Sequence, residues 1–379
     1  MKNIFIVGSQ GYDKNYGGWE TFVKNFCDFY DKKSANIYVS EISDKKCDEY
    51  KKNGIICNPI YTKKRGSITM MIYSIKSLLY YIKYIKNNKI ENSIIYILGL
   101  KMGTLLYFLK PKFKKYNIKV FVNPDGLEWK RSKWNKLVKK YFLIAEKSMT
   151  KNCDGIVCDA VGIKDYLIET YPKNKVPKYF IAYGATIPDI SQINEKDILK
   201  KYNLKKNGYC LVVGRCVPEN NIELIINEFK KSKIDKDLVI ISNIENSSYY
   251  EVFKENTKYE DDKRIKVLGS IYDKQELSII RKNAYLYLHG HSVGGTNPSL
   301  LEAMSLTDLN LLFDCVFNKE VGSDTCLYFS NKNNNLKRLL DNKDLLDKSK
   351  KKLGALAKKR IEDSYTWELV VQKYKDIFK

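Results

Sequence analysis

The sequence predicts an α/β protein of two Rossmann-like, doubly wound domains facing a cleft, on three observations. Short β-branched runs alternate with amphipathic stretches, the alternation restarts once past residue 185, and glycine-rich turns follow several of the runs. Strands separated by helices lie parallel, and a parallel sheet needs helices on both faces. In the first set, Ile4–Val7 precedes an amphipathic stretch near Glu20–Tyr30. Ile94–Leu98 precedes Thr104–Leu109, and Val120–Asn123 and Gly155–Cys158 follow. In the second set, Tyr209–Val213 precedes Ile222–Lys231, then come Leu238–Ser242, Ile265–Leu268, Ala284–Leu288 and Leu309–Phe313. The Gly/Pro/polar stretch Tyr183–Asn194 reads as the boundary. Domains of 1–185 and 186–360 result, both of ordinary size.

Composition narrows the class. Hydrophobic residues make up 44%, enough for packed cores. The net charge of +23 invites a polyanion partner, yet Lys, Asn, Ile and Tyr are all abundant, as an AT-rich genome would give. The distribution says more. Residues 1–185 hold 34 Lys+Arg against 16 Asp+Glu, and the remainder 33 against 28. Codon bias loads both halves alike, so a basic first half points to nucleic acid, an anionic membrane or an anionic substrate. Nine cysteines without a C-x-x-C fit a reduced, cytosolic chain. MKNIFIVGSQG reads as a first strand, not a signal peptide, and no run approaches a spanning helix.

Ligands of open α/β sheets sit at the carboxyl ends of the strands, so the cleft between two such domains is the expected site. GSQGYDKNYGG (Gly8–Gly18), Gly214-Arg215 and HGHSVGG (His289–Gly295) all follow predicted strands. In GHSVGGTNPSLLEAM, Asn297 is a good N-cap and Pro298 suits the first helical position. A helix start presents bare N–H groups and a positive dipole end, and glycine lets a phosphate come close. Gly294, Gly295, Thr296, Asn297 and Ser299 therefore form a candidate diphosphate cradle, though a tight strand-to-helix turn explains the glycines equally well. Glu302, one turn on, suits a ribose diol, and Arg215 suits a diphosphate through its planar fork of donors. Taken singly, they also read as a solvated helix carboxylate and a surface arginine. His289 and His291 are too few ligands for a metal.

Together, G-R followed by H-G-H-x-V-G-G-T-N-P-S-L-L-E-A resembles the second domain of retaining glycosyltransferases of the GT-B fold. Ile6–Val23, VNPDGLEWKRSKW (Val122–Trp134) and FNKEV (Phe317–Val321) resemble bacterial rhamnosyltransferases of capsule and cell-wall polysaccharide assembly. Tyr365–Phe378 is similar to that fold's last helix, which crosses back to the first domain, so 361–379 is expected to do so. The resemblance implies a nucleotide-sugar donor, dTDP-L-rhamnose, with a UDP-sugar as the alternative. It implies that Arg215 and Asn220 hold the diphosphate and Glu302 the ribose, with Ser270 and Tyr272 in the loop that meets the base. Gly17 and Gly18 would approach the donor phosphates, and Asp125, Glu128 and Trp129 would serve the acceptor and sugar. Asp125 and Arg215 are the expected catalytic groups, although Asn-Pro-Asp-Gly is also an ordinary turn sequence. No metal or other cofactor is implied, and no D-x-D pair follows a strand.

The chain departs from the wider family twice. Asn220 stands where a lysine is usual five residues after the arginine. Gly294 stands where an acid is usual eight residues before the ribose-binding glutamate. Both departures leave the sugar less determined than the reaction.

Tyr61–Lys89 holds seven Lys/Arg and no acid among Ile, Leu, Met and Tyr. It reads either as a core-packing helix with a lysine outer face or as a surface for anionic lipid. Lys110–Lys119 and Lys130–Lys140 add to the basic half. The expected partners are thus a nucleotide sugar, a polyprenyl-diphosphate-linked saccharide and an anionic membrane surface. The expected place is the cytoplasm, peripheral at the inner face of the plasma membrane. A nucleic-acid module is the competing reading, but no RRM or KH signature is present. A dehydrogenase or epimerase is disfavoured because Gly8-Ser9-Gln10-Gly11 is not G-x-G-x-x-G.

Overall fold

The computed structural model describes residues 1–14, 17–66, 68–130, 134–245 and 249–379. Parts of three expected features lie outside the described residues: 15–16 in the first glycine-rich turn, 67 in the basic segment 61–89, and 131–133 in the run Lys130–Lys140. The chain divides into two compact units, Met1–Tyr183 with Trp367–Lys379, and Gly184–Thr366.

Unit 1 is built on eight strands: β1 (Lys2–Val7), β2 (Ala35–Ser43), β3 (Tyr50–Lys52), β4 (Ile55–Tyr61), β5 (Ser93–Leu98), β6 (Ile118–Asn123), β7 (Gly155–Cys158) and β8 (Lys178–Phe180). Their order is β3-β4-β2-β1-β5-β6-β7-β8, parallel except for the β3–β4 pair. In β1, Ile4 lies between Ile37 and Ile94, and Ile4 to Val7 are fully buried. That continuous apolar run is what a central parallel strand requires. β2 and β4 escape the sequence pattern because polar residues interrupt them and β4 carries Pro59. Pro59 is tolerated because it sits beyond the three residues of β4 that pair with β3, so its missing N–H faces no neighbour there.

The helices of unit 1 are α1 (Gly18–Phe29), α2 (Thr69–Asn87), α3 (Leu105–Lys115), α4 (Lys136–Lys151) and α5 (Val161–Thr170). Those of unit 2 are α6 (Glu195–Lys201), α7 (Ile222–Lys230), α8 (Tyr250–Thr257), α9 (Lys274–Asn283), α10 (Pro298–Leu306), α11 (Val316–Gly322), α12 (Asn335–Asp341) and α13 (Lys343–Ser364). A last helix, α14 (Trp367–Ile377), belongs to unit 1. It buries Trp367, Val370, Val371 and Tyr374, and Tyr374 Oη meets Tyr96 Oη at 2.7 Å. The expected limit at 361 moves to 367 because α13 runs unbroken to Ser364, and the expected limit at 185 moves to 183.

Unit 2 holds six parallel strands: β9 (Tyr209–Val213), β10 (Asp237–Ile241), β11 (Ile265–Leu268), β12 (Leu286–His289), β13 (Asn310–Phe313) and β14 (Leu327–Phe329), in the order β11-β10-β9-β12-β13-β14. Successive side chains point to opposite faces, and the core divides accordingly. Cys210, Val212, Leu238, Ile240, Leu286 and Leu288 pack with Ile225, Phe229 and Phe253. Tyr209, Leu211, Val239, Ile241 and Tyr287 pack with Leu199, Ile280 and Ala303. The sheet is therefore doubly wound.

Candidate functional site

In unit 2, β9, β10 and β11 run outward in one direction, and β12, β13 and β14 in the other. The winding reverses between β9 and β12, and in open α/β sheets the loops at the carboxyl ends of the strands flanking such a reversal are where ligands bind. Those loops are 214–221 and 290–297, which carry most of the residues singled out in the second domain.

The two loops are stitched together. Asn221 Nδ2 donates to the Gly290 carbonyl at 2.7 Å. Ser292 donates to the Glu219 carbonyl from its backbone N–H at 2.9 Å and its hydroxyl at 3.0 Å. Asn220 Oδ1 meets His291 Nδ1 at 2.7 Å, and Asn220 Nδ2 donates to the Arg215 carbonyl at 2.8 Å. A Cβ at Gly290 would stand 2.1 Å from the Asn220 carbonyl oxygen, so glycine there is a condition of the loop contact. Both ends of the Asn220 amide brace this turn. Gly294 adopts φ +136°, a conformation open to glycine, and a Cβ there would press on His291 Nε2 at 3.1 Å.

Asn297 caps α10, its Oδ1 accepting from Ser299 N at 2.9 Å, and Pro298 occupies the first turn. No acid lies in that turn, so the dipole end remains positive. Thr296 is buried beside it, and Gly295 is half-buried. Arg215 is exposed, and among the described residues nothing pairs with its guanidinium. Ser270 and Tyr272 lie in the loop between β11 and α9, with Tyr272 76% exposed.

Arg281, which the sequence did not single out, is held against two residues of the candidate site. It is 3% exposed and donates from Nη1 to Glu302 Oε2 at 2.6 Å and from Nη2 to Ser299 Oγ at 3.1 Å. The Ser299 hydroxyl lies 3.2 Å from Tyr287 Oη, which donates to the Val213 carbonyl at 3.3 Å. Glu302 is thus held in one rotamer, and its free oxygen remains an acceptor. Arg281 stands 21 residues before Glu302 on another helix, so no short-range spacing links them. The buried face of α9 also carries Ser278 and Asn283 beside Ile279 and Ile280, so hydrophobic periodicity does not single Arg281 out. His289, at the end of β12, is buried and stays neutral: burial, then His291 and Arg281, push its pKa down to about 3.

In unit 1, Gly17 and Gly18 open α1; a Cβ at Gly18 would meet nothing, and at Gly17 only Glu20 Oε2 at 3.5 Å. Asp125 has φ +65° and its N–H donates to Asn123 Oδ1 at 2.8 Å, an Asx turn at the end of β6. Glu128 Oε1 accepts from Trp134 Nε1 at 2.8 Å, and the Trp129 ring lies against Tyr166 with Lys130 above it. Among the described residues no three His, Cys, Asp or Glu side chains gather as a metal site.

Residues 1–186 match a family profile described as a domain of unknown function, DUF1972. No curated protein matches the chain by sequence. Solved structures do match it over their whole length. Sucrose-phosphate synthase of Thermosynechococcus elongatus is 12% identical with a TM-score of 0.79, over 100% of this chain and 98% of that one. The fold is GT-B. HepE of Anabaena, in complex with UDP, aligns at 11% identity and TM-score 0.72 over 100% and 99% of the chains. A glycosyltransferase of Rickettsia africae aligns at 14% and 0.70, over 100% and 98%. These likenesses lie far below the identity at which activity transfers, so they establish GT-B architecture and no more.

Proposed function

We propose that the protein is a glycosyltransferase that takes a sugar from a nucleoside-diphosphate donor bound in unit 2. The observation that carries this reading is the carboxyl end of β9 and β12, whose loops carry the exposed Arg215 and lead into the acid-free start of α10, with Glu302 on that helix paired to Arg281. The start of α10 and Arg215 suit the two phosphates, and Glu302 suits the ribose diol. The sugar C1–O bond to the diphosphate breaks and a C1–O bond to an acceptor hydroxyl forms, with the acceptor proton passing to the leaving phosphate. Arg215 and the helix dipole stabilise the charge that grows on the leaving group. Front-face attack of this kind gives retention.

The finer reading is transfer of L-rhamnose from dTDP-L-rhamnose to a polyprenyl-diphosphate-linked saccharide in capsule or cell-wall polysaccharide synthesis, without a metal. Its support is the resemblance of Ile6–Val23, Val122–Trp134 and Phe317–Val321 to rhamnosyltransferases. Asp125, Glu128 and Trp129 of unit 1 are its acceptor-side groups. A UDP-sugar donor is the second reading, favoured by UDP in HepE and UDP-2-fluoroglucose in a trehalose-phosphate synthase of E. coli.

A thermal-shift panel of dTDP, dTDP-L-rhamnose, UDP, UDP-glucose, GDP-mannose and NAD tests both. A ligand at a hundred times its dissociation constant adds about 2.7 kcal/mol, a readable shift. Stabilisation by dTDP and its rhamnose sugar supports the finer reading. Stabilisation by UDP ligands alone replaces the donor, and silence across all diphosphates rejects the site.

A further inference from the structure

In the basic half of the chain the densest group of exposed large apolar side chains lies on two helices other than α2. Along α2, Tyr73, Leu78, Tyr81, Ile82 and Ile85 turn inward onto the sheet. Lys76, Lys83 and Lys86 are left outside with Leu79 and Tyr80. The amphipathic pattern of that segment is accounted for by core packing.

α3 and α4 differ. They lie side by side and run the same way. Tyr141 Oη donates to the Lys101 carbonyl at 2.7 Å, and Lys110 Nζ to the Lys151 carbonyl at 3.2 Å. Between those contacts, a Cβ at Gly103 would stand 2.3 Å from the Ala145 carbonyl oxygen. Their inner faces bury Leu106, Leu109, Phe113, Phe142, Ala145 and Met149. Their outer faces carry Tyr107, Phe108, Leu137, Leu143 and Ile144, with Leu137 80% and Phe108 72% exposed. On α4 the exposed positions 136, 137, 140, 143, 144, 147 and 151 fall on one helical stripe. Single exposed apolar residues are ordinary, whereas five on adjoining helix faces mark an interaction surface.

The charge around them has one sign. Lys112, Lys114 and Lys115 of α3 and Lys136, Lys140, Lys147 and Lys151 of α4 are exposed, and among the described residues none pairs with a carboxylate. α3 contains no acid, and the single acid of α4, Glu146, is buried beneath the hydroxyls of Tyr166 and Tyr171 at 2.9 and 2.8 Å.

We infer that the outer face of α3 and α4 docks on an anionic lipid bilayer, the lysines at the headgroups and Phe108, Leu137 and Ile144 in the acyl boundary. Lysines alone fit any polyanion. The aliphatic members decide the class: Leu137, Leu143 and Ile144 have nothing to stack on a base, but they gain by leaving water for the interface. The surface gives the lipid-linked acceptor a place and in that respect rests on the proposed function, although its geometry belongs to unit 1 alone.

Sedimentation of the full chain with vesicles tests it. Binding to phosphatidylcholine–phosphatidylglycerol vesicles and not to phosphatidylcholine alone is expected. The F108S/L137S/I144S variant should bind roughly tenfold or more weakly. K140Q/K147Q should show a similar loss, relieved at low salt, while K76Q/K83Q on α2 should bind as the parent does. All replaced side chains are exposed, so thermal melting should match the parent. Equal binding by the serine variant, loss confined to K76Q/K83Q, or binding to single-stranded RNA in place of vesicles overturns the inference. The dTDP thermal shift reads separately. If it is absent while vesicle binding follows the α3–α4 variants, the glycosyl-transfer reading falls and the docking surface stands.

Discussion

Two arginines of the candidate site in unit 2 differ in burial, and burial decides what each can do. Arg215 is exposed and unpaired among the described residues, so nothing in the fold depends on its charge. Arg215→Ala should leave stability within about 0.5 kcal/mol and weaken nucleoside-diphosphate affinity by about 10- to 100-fold, the worth of charged hydrogen bonds to phosphate. Titration calorimetry with dTDP and UDP checks this, and unchanged affinity would remove Arg215 from the site. Arg281 is buried against Glu302 at 2.6 Å, so this pair is part of the packed fold as well as of the candidate site. Arg281→Met should cost up to about 3 kcal/mol, because Glu302 then keeps a charge without its partner. In a urea-melt cycle with Glu302→Gln, the two should couple by about 1 kcal/mol or more, and plain additivity would deny the pairing. His289 adds a pH signature. Its folded pKa of about 3 lies below its ordinary 6.5. The unfolded chain therefore binds a proton that the folded chain refuses, and stability falls as pH drops from about 6.5 toward 3. His289→Gln should flatten that fall in the urea midpoint between about pH 7 and pH 4. An equally steep fall in the variant would place the titration elsewhere.

At the scale of elements, the site is two loops held at a fixed spacing and one helix start. Gly290→Ala forces the loops apart, since its Cβ would stand 2.1 Å from the Asn220 carbonyl oxygen. A cost of about 1–3 kcal/mol and lost nucleotide binding are expected from melts and calorimetry. Retained binding would show that the loop spacing is not what forms the site. The strands leading to these loops were legible because β9 and β12 are short, mostly apolar runs in a sheet covered on both faces. β2 and β4 were not, since interspersed polar residues and Pro59 hide a strand whose other neighbours supply its burial. Asn297 and Pro298 announced the start of α10 through local capping chemistry, and the structure has them in those positions. Asn220 was read as a phosphate donor, and its amide is engaged with His291 and Arg215 instead of standing free. Such partners lie about seventy residues apart or on separate helices, and no local periodicity encodes them.

Across the whole molecule, charge and connectivity separate the two units. Unit 1 holds 37 Lys+Arg against 18 Asp+Glu, and unit 2 holds 30 against 26. Unit 1 is also discontinuous in sequence, completed by thirteen residues from the far end of the chain. Those residues are not an appendage. Tyr374 packs its ring on Phe22, Phe26 and Tyr96, and Phe378 packs on Tyr96 and Phe121. With Trp367, Val370 and Val371, five large side chains leave water there. At about 2 kcal/mol each, their burial contributes about 10 kcal/mol, the scale of a domain's entire stability. Ending the chain after Thr366 should therefore unfold unit 1. Unit 2 keeps all of its own strands and the two loops of the candidate site. Limited proteolysis should then digest residues 1–183 while 184–366 survives, and a nucleotide that stabilises the full chain should still protect the surviving unit. A truncated chain whose unit 1 resists protease as before would show that the aromatic cluster around Tyr96 is stable without α14. Loss of both units together would show that unit 2 depends on unit 1 for its own folding.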